Sequence, residues 1–451
     1  MRIAVQRERA EGERRVALVP ESVAKLVSGE HELVVEAGAG GDFYPDEEYA
    51  KAGARVAEGD ATDGAKIVLQ VAAPSEEEAR ALPEGCLLVC FLDRIQQSDV
   101  LEALAQRGVS VFSMSSIPRT GAAQAMDAIS SMSSVAGYQA VLMAAQAAGR
   151  YLPMMTTAAG TTKAAKVMVL GVGVAGLQAI ATARRLGAEV EAFDIRPEVG
   201  DQVRSLGATF IEARDEHADH DGGELQFEPP QPARAELLVK ALLGLPADFG
   251  RRRAIEAAKR ERARAQDDDA RDEDDDKARD DDDADDDEAR ADDDADTREQ
   301  QDANASEQDE ERQQRDQELM TERLGEMDIV LTTALVPGKH APTLVTAEMV
   351  ERMKPGAVLF DLAVEAGGNC ELSEPGEVVH HDHVAIHGPL NLPSTMPIHA
   401  SQLLSRNMTS VLSHLLDDDG ELHLDFDDEI TDGAVLAHDG KVRPSQEDGD
   451  T

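Results

Sequence analysis

Residues 166–196 read Lys166-Val-Met-Val-Leu170-Gly171-Val-Gly173-Val174-Ala175-Gly176-Leu177-Gln-Ala-Ile-Ala-Thr-Ala-Arg-Arg-Leu186-Gly187-Ala-Glu189-Val-Glu-Ala-Phe-Asp194-Ile-Arg196. The apolar run Lys166–Leu170 predicts a buried strand, Gly171–Gly176 a tight turn and Leu177–Leu186 a helix. Gly187 fits the position just past a helix end, and Glu189–Asp194 predicts the next strand. A strand, a Gly-x-Gly-x-x-Gly turn, a helix and a second strand ending in a carboxylate form the dinucleotide-binding unit. Gly171 permits the turn, Gly173 lets the backbone approach a pyrophosphate, and Gly176 lets helix and strand pack closely. The first helical turn, Val174 and Ala175 included, supplies N–H donors and a positive dipole. Asp194 is expected to accept hydrogen bonds from a ribose diol and to repel a 2′-phosphate, while Arg196 could accommodate one. The expected cofactor is therefore NAD(H). A similar turn that holds no nucleotide is the alternative.

Outward from this unit, strands and helices alternate. Strands are predicted at Ile3–Val5, Glu32–Glu36, Ile67–Val71, Leu87–Leu92 and Val109–Phe112, with helices at Ser22–Val27 and Val100–Gln106. The alternation predicts an α/β fold with a parallel sheet. A second cluster, Asp328–Thr332, Ala357–Asp361 and Val384–His387, completes the sheet begun at Lys166. Two long helical stretches, Met126–Gly149 and His399–Leu416, would connect the halves. The first is rich in Ala, Ser and Met and contains no Pro.

The chain has 451 residues and a formal net charge of −46. Such a charge repels phosphate backbones, so no nucleic-acid partner is expected. The N-terminus has no signal-peptide pattern, and no apolar run reaches the roughly 20 residues that span a bilayer. Residues 266–317 are mostly Asp, Glu, Ala, Gln and Arg, with no apolar side chain larger than Ala, which predicts a disordered acidic insertion. Its flanks, Ala235–Leu243 and Glu318–Leu324, have helical composition. Acidity continues outside the insertion, which suggests adaptation to high internal salt. Cys86, Cys90 and Cys370 are too few for a disulfide framework. Cys86 and Cys90 would face one side of a strand as core residues. His380-His381-Asp382-His383 is expected in a polar turn before a strand, and no metal site is assigned.

A second informative segment is Pro118-Arg119-Thr-Gly-Ala-Ala-Gln124-Ala-Met-Asp127-Ala-Ile-Ser130-Ser131-Met-Ser-Ser134-Val-Ala-Gly137-Tyr138. It offers a cation, an amide, a carboxylate and hydroxyls at a turn-to-helix junction. Asp127, Ser130, Ser131 and Ser134 can share a helix face. A helix cap with a solvated face accounts for these residues equally well.

With these segments, the chain resembles the NAD(H)-binding alpha subunit, or first domain, of proton-translocating NAD(P) transhydrogenases. The matching stretches are Arg14–Pro20, Arg119–Tyr138, Met155–Gly160, Gly171–Ala183, Thr332–Lys339, Asp361–Asn369 and Asn391–Ser394. The resemblance implies two Rossmann-like domains with parallel sheets. Residues 1–127, completed by 390–451, would form the first, and 128–389 the NAD(H)-binding second. It further implies that Arg119, Gln124, Asp127 and Ser130 lie on a loop at the nicotinamide end, with Gln124 near an NADP(H)-binding partner. Gly171, Gly173, Val174, Ala175, Gly176, Asp194 and Arg196 would serve the adenosine and pyrophosphate end. A membrane-embedded partner, a homodimer and a place on the cytoplasmic face of the membrane follow from the same resemblance.

Two positions depart from the family. Its second Arg in the loop is Ala122 here, and its Gly-Gly-Tyr loop reads Gly222-Gly223-Glu224-Leu225-Gln226-Phe227. The related alanine dehydrogenases share the fold but need a Lys and a His for their keto acid. Those positions read Gln70 and Asp93, which disfavours that activity. A nucleotide-binding regulatory subunit without catalysis is a third reading.

Overall fold

The computed structural model describes residues 1–29, 31–211, 319–335, 340–417 and 419–444. The acidic segment 266–317, the flank Ala235–Leu243 and the loop Gly222–Phe227 lie outside the described residues, whereas residues 319–324 are helical.

Two sheets carry the fold, both within the unit formed by residues 1–211 and 323–451. The first has the strand order Lys441–Val442, Val435–His438, Ser110–Ser113, Leu87–Phe91, Ile67–Ala72, Arg2–Val5, Glu32–Glu36, Arg55–Ala57. Its six N-terminal strands are parallel, and the C-terminal pair adds antiparallel to Ser110–Ser113. The second runs Thr209–Phe210, Glu189–Phe193, Lys166–Leu170, Ile329–Thr332, Val358–Asp361, Val384–His387, Val378–His381. Its last strand alone is antiparallel. Taken in chain order, the parallel strands of each sheet follow 3-2-1-4-5-6, the doubly wound Rossmann arrangement. The chain is thus α/β with two Rossmann-like sheets, as its sequence predicts.

The long helix Ala128–Ala147 ties the two together. Met132 and Val135 sit in the core of the first sheet, while Ala140, Val141 and Ala144 sit in the core of the second. A helix of small apolar residues can be buried on several sides, because close approach costs it no side-chain volume. The other long helix, Pro397–Leu415, packs Leu404, Met408, Val411 and Leu412 into the first core. The segment Gly12–Pro20 docks along it: the Val16 and Val19 amides donate to Ser401 and Ser405 Oγ at 3.1 and 3.0 Å.

Three details differ from expectation. The helix after Gly173 starts at Val174, three residues early, because Val174–Gly176 already form its first turn. His380 and His381 lie in the strand Val378–His381, which hairpins with Val384–His387 through Asp382 at φ 49°. A sheet edge accepts such polar residues because only one side needs apolar cover. Met155–Thr157 and Gly160–Thr162, unread as strands, pair as an exposed hairpin. Cys86 and Cys90 are free, buried and on one face, in a core with Leu88 and Leu92.

Candidate functional site

The strand order of the second sheet reverses between Lys166–Leu170 and Ile329–Thr332. Ligands of open α/β sheets bind outside the carboxyl ends of the strands at such a point. The chain leaves Lys166–Leu170 at Gly171, with φ 95°, a left-handed conformation that favours glycine. A Cβ on Gly171 would stand 2.8 Å from the Ala334 nitrogen, and one on Gly176 would stand 2.0 Å from the Gly171 oxygen. Thr333 donates its hydroxyl to the Gly171 oxygen at 2.8 Å. The turn therefore packs on the segment that follows Ile329–Thr332.

Gly173 is the exception, because a Cβ there would meet nothing within 4 Å. It is the N-cap of Val174–Arg185, and no side chain caps that helix. Free N–H groups of a helix start, open space and the helix dipole together make an anion cradle.

Asp194 lies across the turn, its side chain only 7% exposed. One carboxylate oxygen accepts the Val172 amide at 2.7 Å, so the carboxylate braces the turn itself. Arg196 adds a two-pronged ion pair, with both contacts at 2.9 Å. Burial pushes the carboxyl upward, but the Arg196 guanidinium and the Val172 and Arg196 amides outweigh it and hold the group below the usual carboxylate range. Around this edge, Val174, Ile195 and Leu335 are exposed apolar side chains, able to cover a flat base.

The segment after Ile329–Thr332 is fixed from behind, by residues to which sequence reasoning gave no role. Asn369 takes the Ala334 amide on its Oδ1 at 3.0 Å and returns a bond to the Ala334 oxygen at 2.9 Å. Asp361, fully buried, accepts the amides of Asn369 and Cys370 and the hydroxyls of Thr332 and Ser373. A buried carboxylate without a cation is tolerable when this many donors surround it. The motif Asp361–Asn369 thus positions the wall of the turn. The run Gly367-Gly368-Asn369 just after a strand was the sequence signal.

Of the second segment, Asp127 is the N-cap of Ala128–Ala147, accepting the Ser130 amide at 2.8 Å and the Ser130 hydroxyl at 2.5 Å. Capping therefore already engages both groups. Arg119 and Gln124 are exposed. The loop between them is held by buried Ala123 and Met126 and by Asn407, which donates to the Ala125 oxygen at 2.9 Å. Ser130 and Gly137 share a helix face, and Gly137 abuts the Ala175 backbone. The face therefore runs from the loop to the fingerprint, with Asp127 about 15 Å from Gly137 along the axis.

The positions in the first sheet offer less. Gln70 is buried in its strand, and Asp93 accepts the Ile95 and Gln96 amides at 2.9 and 2.8 Å. The motif Arg14–Pro20 meets Asn391–Ser394 in a buried joint. There the Glu13 carboxylate holds Arg15 at 2.6 Å, Asn391 at 3.0 Å and Ser394 at 3.0 Å. A cavity of about 990 Å³ with Arg150, Lys163, Lys166 and Lys354 in its walls opens at the strands' amino ends, opposite the fingerprint.

Doubly wound sheets with a glycine-rich anion cradle at a switch point define a dinucleotide-binding Rossmann protein. Two family models match the chain: the alanine dehydrogenase/PNT N-terminal domain over residues 4–136 and the C-terminal domain over residues 140–445. The chain belongs to the alanine dehydrogenase/PNT family and, within it, with the NAD(P) transhydrogenase alpha subunits. It is 37% identical to an NAD(P) transhydrogenase alpha-subunit chain of Rhodospirillum rubrum, over 98% of this chain and 97% of that one. It is 34% identical to the alpha subunit of Haemophilus influenzae, over 98% of this chain and 72% of that one. The crystal structure of transhydrogenase from Sinorhizobium meliloti superposes with a TM-score of 0.74 at 36% identity, covering 98% and 100% of the two chains. An alanine dehydrogenase of Bacillus subtilis is 25% identical over 88% of this chain and 81% of its own.

Proposed function

We propose that this chain is the NAD(H)-binding subunit of a proton-translocating NAD(P) transhydrogenase. The observation that carries the reading is the open cradle at Gly173, joined by one helix face to the loop that bears Arg119 and Gln124. The open glycine, the uncapped helix start and the carboxylate across the turn fit a dinucleotide. Gly171, Gly173, Val174, Ala175 and Gly176 would hold the pyrophosphate, and Asp194 the adenosine ribose. When bound, the nicotinamide supplies a hydride donor or acceptor at its C4. Hydride would pass directly to NADP(H) on a partner subunit, so no side chain needs to move a proton at the reacting carbons. The chain's task is orientation and exclusion of water. Arg119 would neutralise charge near the nicotinamide half, the Asp127–Ser130 cap would fix the start of the helix, and Gln124 would face the partner.

No helix among the described residues is long and apolar enough to cross a membrane, so proton coupling would reside in a membrane partner. A homodimer is part of the reading. The hairpin Met155–Thr162 is exposed along both strands, beside Tyr151 and Met154 at 57% and 66% exposure. An isolated two-stranded hairpin is at best marginally stable, and a second copy would cover it. Fluorescence titration of the full chain tests the binding claim. NADH should bind well and NADPH poorly, because a carboxylate at the ribose rejects a 2′-phosphate. Equal affinities would contradict the assignment of Asp194.

A further inference from the structure

Every acceptor position of the Asp194 carboxylate is taken. One oxygen accepts the Arg196 amide at 3.0 Å and its Nε at 2.9 Å. The other accepts the Val172 amide at 2.7 Å and an Arg196 terminal nitrogen at 2.9 Å. A carboxylate has about four lone-pair sites, so none is left for a ribose diol. The two amides belong to the fixed main chain and keep the carboxylate aimed. The guanidinium is different: its side chain is 51% exposed and could swing into solvent without opening a core.

We propose that Arg196 is a displaceable counter-ion, which holds Asp194 while the site is empty and must release it before the adenosine ribose can bind. Resting on the reading of Asp194 as the ribose acceptor, the inference gives Arg196 the opposite sign from a ligand. It competes with the nucleotide and weakens its binding. The exchange replaces the two guanidinium bonds to the carboxylate with two hydroxyl bonds and gives up a long third one, from an Arg196 terminal nitrogen to the Val172 oxygen at 3.4 Å, while the Val172 and Arg196 amides stay in place. Because the Arg side faces solvent, the pair has the strength of a surface ion pair, and removing it is worth up to about fivefold in affinity.

The test is NADH titration of the full chain and of two variants, Arg196→Ala and Arg196→Gln. Both should bind NADH about three- to fivefold more tightly than the parent, with Arg196→Lys in between. Added KCl should narrow the gap, because screening weakens the pair only where it exists. Damage to the fold would loosen binding, so tighter binding cannot arise from it. Unchanged or weaker binding by both variants, with a parent that binds NADH, overturns the counter-ion and leaves the functional reading intact. A parent that binds no NADH overturns the functional reading and this inference with it.

Discussion

Gly137 lies directly against Ala175: a Cβ on Gly137 would stand 2.1 Å from the Ala175 carbonyl oxygen and 3.0 Å from its Cα. Two elements far apart in sequence therefore meet backbone to backbone, the long connecting helix and the first turn of the fingerprint helix. The contact fixes where the Arg119–Asp127 loop stands relative to the cradle.

Gly137→Ala should break this contact. Alanine favours a helix by about 0.5–1 kcal/mol over glycine, but here its methyl would strike backbone that cannot step aside. Overpacking of this kind costs about 1–3 kcal/mol, so a net loss of stability and of NADH affinity is expected. A denaturant midpoint and an NADH titration equal to the parent's would contradict the contact.

Glu8 gives a pH dependence. Burial pushes its carboxyl from 4.5 up to about 7, against the opposing pull of the Val71 and Ala72 amides it accepts. A carboxyl raised in the folded state holds its proton there longer than in the unfolded chain. Its stabilising contribution is therefore present below pH 4.5 and is lost as pH rises through 7. Glu8→Gln, always neutral, should compare more favourably with the parent at pH 8 than at pH 5, by up to about 3 kcal/mol. Unfolding of both proteins at the two pH values measures it, and a pH-independent difference would refute it.

Gln124→Asn should slow hydride exchange with an NADP(H)-binding partner far more than it weakens NADH binding. The exposed amide would retreat by one methylene from the transfer surface, and a displacement of about 1 Å can cost on the order of 100-fold. Arg119→Ala should impair both rate and binding. Paired kinetic and titration measurements separate the two effects, and a parental exchange rate in Gln124→Asn would remove that loop from the transfer surface.

The βαβ unit, both long helices and most strands were legible in the sequence, because period and glycine placement report local geometry. The site was legible only partly. Asp194 was readable as a carboxylate at a strand end, but its engagement by Arg196 depends on a side-chain rotamer, which no pattern encodes. Asp127 and Ser130 could have been ligands or a cap; in the fold they make the cap hydrogen bonds, a geometry the spacing permits without selecting it. Gly137, Thr333 and Asn369 matter through contacts with residues 30 or more positions away, which periodicity does not reveal. The hairpin Met155–Thr162 escaped because Thr-Thr-Ala-Ala-Gly lacks the apolar alternation of a half-buried strand.

Salt should stabilise the chain. With 90 acidic against 44 basic residues, self-repulsion opposes the compact state, and KCl screens it. The melting temperature should climb with KCl into the molar range. A protein equally stable in dilute buffer would contradict adaptation to high salt.

The reaction proposed for this chain is direct hydride transfer from its NADH to NADP⁺ on a partner. The most direct measurement mixes the chain with a soluble NADP(H)-binding transhydrogenase subunit, supplies NADH deuterated at C4, and follows the label by mass. NADPH should carry the deuterium, with no label lost to water and no NADH formed when the chain alone is given alanine and NAD⁺. Absence of exchange, label washed into solvent, or alanine-dependent NADH formation would contradict it.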